Sequence, residues 1–115
     1  MTRRTIEALS LLGLAMRAGA VARGTEATRR AIQDGSASLV VLAEDASVVQ
    51  RQKVLRLLEH RGTPRAYVGS RADLGAAIGS GPVSAIAVTT ESFAEQVLGR
   101  LSAMVDVGLI SEERR

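Results

Sequence analysis

At 115 residues, with 46% hydrophobic residues and no long polar gap, the chain has room for one domain around one hydrophobic core. It contains no cysteine, which excludes disulfides, thiolate nucleophiles and cysteine-ligated zinc and fits a reducing cytoplasm. The net charge of +3 is mild but uneven: residues 1–30 hold six arginines against Glu7 and Glu26, and the remainder is close to neutral, so the basic end suits a nucleic-acid partner without requiring one.

Between Thr5 and Met16 the apolar residues Ile6, Leu9, Leu12, Leu14 and Met16 recur near helical spacing, and Gly19 supplies a left-handed stop, so the first element is predicted as a helix. Arg3 and Arg4 ahead of this run have the look of a signal peptide, but Glu7, Ser10 and Arg17 interrupt it and secretion is not expected. Val21 to Arg23 is a short segment before Gly24-Thr25, where the threonine is placed to cap a second helix through Ile32 that ends at Gly35. Ser38 to Ala43 reads Ser-Leu-Val-Val-Leu-Ala, the composition of a central strand covered on both faces. Ser47, with Gln50 three residues on, has the spacing of a capping box and opens a third helix to Glu59 carrying Val48, Val54, Leu55, Leu57 and Leu58.

After Pro64 the pattern repeats: Arg65 to Val68 is a short strand, Ser70 caps a fourth helix reaching Ile78, Gly79 to Pro82 is a loop, and Val83 to Val88 is the fourth strand. Thr90 or Ser92 then opens a last helix with Phe93, Val97, Leu98 and Leu101 on one face. This alternation predicts an α/β fold, a three-layer α/β/α sandwich with a central mixed four-stranded sheet, forming a single domain over residues 1–105 with a frayed tail over 106–115. Tyr67 and Phe93 are the only aromatic residues, so aliphatic side chains must fill the core. The longest apolar runs, such as Leu39 to Ala43, fall far short of the roughly 20 residues that span a bilayer, and no membrane partner is expected.

Few residues offer chemistry. His60, the one histidine, lies at the polar end of the third helix with no cysteine or serine-glycine nucleophile turn to accompany it, and reads as a solvated helix terminus. Glu44 and Asp45 follow the central strand, where open α/β sheets place ligands; they are candidates for a cation or, more simply, turn carboxylates capping the following helix. Gly75, Gly79 and Gly81 lack the order of a dinucleotide fingerprint and the lysine of a phosphate loop. The simpler account is close packing of Gly75 on the sheet and helix termination at Gly79. No catalytic centre, metal, cofactor or small-molecule substrate is therefore expected. The stretch Arg23-Gly24-Thr25-Glu26-Ala27-Thr28-Arg29-Arg30 remains: a glycine turn into a helix N-terminus presents free amides and a positive dipole to phosphates or base edges, with Arg23, Arg29 and Arg30 beside it. A capped, solvated surface helix is the plain alternative.

Four ordered motifs across residues 5–101, namely Gly-Thr-x-x-Thr-x-Arg-Ala-Ile (24–32), Leu-Val-Val-Leu-Ala-Glu-Asp-Ala-Ser (39–47), a helix closing in Pro64, and Leu-Gly-x-Ala-Ile-Gly (74–79), resemble the L7Ae superfamily of ribosomal proteins. Ala-Glu-Asp-Ala-Ser and Val-Thr-Thr-Glu-Ser-Phe-Ala are most similar to its bacterial YlxQ-type branch. The resemblance implies a noncatalytic α/β/α sandwich that binds kink-turn RNA, in ribosomal RNA or ribosome assembly. It places the RNA-binding turn at Gly24 and Thr25, a helix cation at Arg30, a contact at Ser47 with Arg51 one turn later, a cation at Arg71, and a last contact at Gly81, Pro82 and Val83. Arg23, Glu26 and Arg29 complete the expected surface. The family's base-reading Asn-Glu pair is here Glu26-Ala27, a departure that implies weakened or broadened kink-turn recognition. The partner expected is thus structured RNA. The rival readings are a protein-interaction module on the same fold and a small-ligand binder at the glycines around Gly79.

Overall fold

The computed structural model describes residues 1–101. In chain order its elements are α1 (Arg3–Arg17), β1 (Val21–Arg23), α2 (Thr25–Gln33), β2 (Leu39–Leu42), α3 (Val48–Leu58), β3 (Arg65–Tyr67), α4 (Arg71–Ala77) and β4 (Ala85–Val88), followed by α5 over 91–101. The tail expected over 106–115 lies outside the described residues.

The strands form one sheet in the order β1-β4-β2-β3. β4 is antiparallel to both β1 and β2, whereas β3 runs parallel to β2, which makes the sheet mixed. β2 carries the apolar run of the sequence, and all four of its residues are fully buried. The strand period of two divides them: Leu39 and Val41 join Ile86, Val88, Leu12, Leu74 and Val97 beneath α1, α4 and α5, while Val40 and Leu42 join Ile32, Val54 and Leu58 beneath α2 and α3. Each such aliphatic side chain contributes about 1.5–3 kcal/mol by leaving water, so the continuous run stabilises both halves of a three-layer α/β/α sandwich. Among the described residues no helix is long and apolar enough to cross a membrane.

Local chemistry explains the boundaries. α1 starts two residues before Thr5 because Thr2 accepts from the Thr5 N–H and caps it. Its buried stripe is Thr5, Ala8, Leu11, Leu12 and Ala15, whereas Ile6 and Leu14, two of the apolar residues that signalled the helix, are about half exposed. Ala8 and Ala15 hold α1 close to the sheet on either side of the buried Leu11 and Leu12, and Ile6 and Leu14 fall outside that stripe. The N-cap of α2 is Gly24 and not Thr25, and no side chain caps it. At α3 only half of the expected capping box forms: Ser47 Oγ accepts from the Gln50 N–H. The complete box belongs to α4, where Ser70 and Asp73 exchange side-chain-to-backbone bonds. β4 begins at Ala85 and not Val83 because the chain is still committed to α4 there, the Val83 N–H donating to the Arg71 carbonyl at 3.1 Å. α5 opens at residue 91, which places Thr90 rather than Ser92 at its entrance.

Candidate nucleic-acid interface

The strand registers fix where the turns meet. Arg23 pairs with Ile86, and Leu42 pairs with both Ala85 and Tyr67, so the carboxyl ends of β1, β2 and β3 and the amino end of β4 share one end of the sheet. Beyond it a lattice of main-chain bonds ties the connecting turns together. The Gly24 N–H donates to the Ala85 carbonyl at 3.0 Å, Ala43 to Ser84 at 2.9 Å, and Glu44 to Gly69 at 2.8 Å. The segments beginning at Gly24, Ala43, Gly69 and Gly81 are thereby gathered at one edge, the position at which open α/β sheets hold ligands.

At the first of these turns Gly24 has φ 96°, a conformation that L side chains rarely adopt. Its carbonyl accepts the Thr28 N–H at 2.9 Å, and with no side-chain cap the first N–H groups of α2 point outward at the positive end of the helix. Arg23 and Arg30 are exposed, and Arg30 lies one turn beyond Glu26 on the solvent face of α2. Arg29 differs: its Nη1 donates to Glu26 Oε1 at 3.1 Å, and its Nε is buried without a hydrogen-bond partner. Glu26 therefore meets a cation from its own helix.

The second turn presents Ser47, exposed although it caps α3, with the N–H of Arg51 bonded to its carbonyl at 3.0 Å and the Arg51 side chain half-buried. Val48, one of the apolar residues that signalled the third helix, and Val49 beside it are 60% and 64% exposed, which leaves apolar surface at this edge. At the third turn Arg71 is exposed at the start of α4, and in the fourth Gly81 and Pro82 are exposed while Val83 packs partly against the core.

Two residues have roles that the sequence did not reveal. Asp45 caps no residue of α3; its Oδ1 accepts the Arg71 N–H at 2.7 Å and lies 3.9 Å from Arg71 Nε, joining the second turn to the third. Gly75 packs on the loop before β4 rather than on the sheet, its missing Cβ leaving space for the Gly81 carbonyl. Both contacts are long-range in sequence, and no local pattern signals them. Gly79, with φ 74°, ends α4 as the glycine signal indicated. His60 is exposed past the end of α3. Asp34 lies at the far end of α2, where the side chain of Ser36 and then its N–H, which donates to Oδ1 at 3.0 Å, hold its carboxyl below the ordinary aspartate value.

Residues 7–98 match the ribosomal protein L7Ae/L30e/S12e/Gadd45 family. The chain is 38% identical over 96 residues to the RNA-binding protein YlxQ of Bacillus subtilis, covering 84% of this chain and 96% of that one. It is 32% identical over 98 residues to the large ribosomal subunit protein eL8 of Cenarchaeum symbiosum, covering 84% and 78%. Among solved structures it resembles a Bacillus halodurans protein of unknown function, with TM-score 0.77 and 35% identity over 83% of this chain and 96% of that one. It shares its fold with a 15.5kD RNA-binding protein of Giardia lamblia, with TM-score 0.73 and 23% identity over 93% and 91%.

Proposed function

Because the chain belongs to the ribosomal protein L7Ae/L30e/S12e/Gadd45 family, we propose that the edge formed by its four gathered turns binds structured RNA of kink-turn-like form, ribosomal or concerned with ribosome assembly, without catalysis. The observation that carries this reading is the convergence itself: an uncapped helix N-terminus at Gly24, the cations Arg23 and Arg71, and the small exposed turn Gly81-Pro82 share one end of the sheet, and Arg30 is exposed further along α2, in its last turn. Amides and a helix dipole receive phosphates or base edges, and guanidinium groups supply planar donors suited to phosphate oxygens. The RNA-binding relative named YlxQ supports the same partner. Crosslinking of the protein to RNA in cells, followed by sequencing of the recovered RNA, tests it. Enrichment of folded segments with a sharp internal bend is the expected result; recovery of a defined protein partner without RNA would favour the interaction module.

A further inference from the structure

Arg71 is held from two sides. Its N–H donates to Asp45 Oδ1 at 2.7 Å, and its carbonyl accepts the Val83 N–H at 3.1 Å, so one peptide links the turn after β2, the start of α4 and the loop before β4. The same Asp45 oxygen lies 3.9 Å from Arg71 Nε. The capping box of Ser70 and Asp73 satisfies the N–H groups of those two residues, and Asp45 takes the first-turn N–H of Arg71, so that its carboxylate is anchored at the start of α4. The ion pair is not a stability device, because both side chains are about half exposed, at 52% and 54%, and pairs of that kind contribute little. What the contact does is geometric. A guanidinium carries five N–H donors in a rigid fork, and with Nε turned to Asp45 the four on the two Nη atoms remain for another acceptor. No described residue accepts a hydrogen bond from them. A carboxylate on a phosphate-binding edge would otherwise repel its ligand, and here it lies against the arginine.

We infer that Asp45 is a positioning residue: its carboxylate fixes the main chain and the Nε edge of Arg71 so that the free Nη edge is presented to a phosphate of the bound RNA. The inference rests on the RNA-binding reading above.

Affinity of the full chain for a folded kink-turn RNA, measured against salt concentration, tests it with Asp45→Ala, Arg71→Ala and the double variant. Asp45→Ala weakens binding about tenfold, the low end for a hydrogen bond to a charged group. It also lowers the slope of log K against log salt by about one, the signature of one lost phosphate contact. The double variant binds no more weakly than Arg71→Ala. Asp45→Asn, whose amide oxygen still accepts the Arg71 N–H, recovers most of the affinity. If the alanine protein does not fold, Asp45→Glu carries the same test, because it keeps the charge but displaces the oxygen by one methylene; the same loss of slope is expected. An Asp45→Ala protein with the parent's slope, tighter binding than the parent, or losses that add to those of Arg71→Ala would overturn the inference while leaving RNA binding intact. A folded parent that binds no structured RNA at low salt would overturn the RNA reading, and the inference with it.

Discussion

A Cβ placed on Gly75 would lie 2.0 Å from the Gly81 carbonyl oxygen and 3.1 Å from the Pro82 Cα. The glycine is needed for space, since its backbone carries no positive φ, and the loop before β4 rests directly on α4 because of it. Gly75→Ala must therefore push the backbone of residues 81–83 outward. The expected cost is about 1–3 kcal/mol of folding stability, the usual range for overpacking, measured by urea unfolding. Weaker RNA binding should accompany it, because the Val83 contact to Arg71 is displaced. Gly79→Ala is the contrast: it has open space but φ 74°, so it should cost roughly 1–2 kcal/mol of backbone strain with RNA affinity kept. Equal affinity for the parent and Gly75→Ala would separate this packing from the binding edge.

Arg30 and Arg71 should each act through phosphate. Replacing either with alanine is expected to reduce the salt slope of RNA binding by roughly one, with a similar proportional loss on every RNA tested. Arg17 is the control. It is exposed in the last turn of α1, just before Ala20, whose carbonyl accepts from Thr89 at the opposite end of the sheet. Arg17→Ala should leave the slope unchanged. A salt-insensitive parent, or identical slopes in all four proteins, would point to the protein-interaction module.

How much of this was legible in the sequence depends on the range of each interaction. Leu39 to Leu42 announced a strand covered on both faces because a continuous apolar run satisfies both at once, and all four residues are buried. Gly24, Ser70 and Gly79 marked turns or caps through chemistry confined to a few residues. The part of the site that only the fold could give is the meeting of its turns: Asp45 reaches Arg71 across 26 residues, and Gly75 makes room for a loop whose extent is set by the late start of β4. Thr25 shows the limit within a single turn. A threonine is a good cap in general, but here Thr25 is already helical and the Gly24 carbonyl accepts the first intrahelical bond, from Thr28, which makes the glycine the capping residue.

Asp34 should make a small acid-sensitive contribution to stability. Its carboxylate accepts from Ser36, which lowers its pKa in the folded chain relative to the unfolded one, so the unfolded state binds the extra proton. The contribution is fully present above the ordinary aspartate value and is lost as pH falls through the lower folded value. A carboxyl titration followed by NMR should place Asp34 below the ordinary value in the parent. Ser36→Ala should move it upward, since the side-chain donor is the larger cause. No upward movement would mean that the hydroxyl does not stabilise the charged form.

The pair Glu26-Ala27 should set how well a standard kink-turn is read. Glu26 accepts hydrogen bonds but cannot donate them, and Ala27 does neither, so neither side chain matches the sheared base pairs that an Asn-Glu pair would engage. The structure adds a second effect: Glu26 Oε1 holds Arg29 Nη1 at 3.1 Å, which ties a cation beside the turn to a partner within the helix. Glu26→Asn with Ala27→Glu would supply both base-reading groups and release Arg29 at the same time. Binding to a standard kink-turn should strengthen by about 1–3 kcal/mol, the scale of good base-edge hydrogen bonding. The two contributions separate experimentally. Glu26→Gln alone removes the carboxylate that holds Arg29 without restoring the pair, so it should steepen the salt slope while leaving discrimination between kink-turn and unkinked RNA unchanged. The double variant should improve that discrimination. Titration of the parent and both variants against matched kinked and unkinked RNAs decides the matter, and a parent that already discriminates as sharply as the double variant would show that other groups on this edge read the kink.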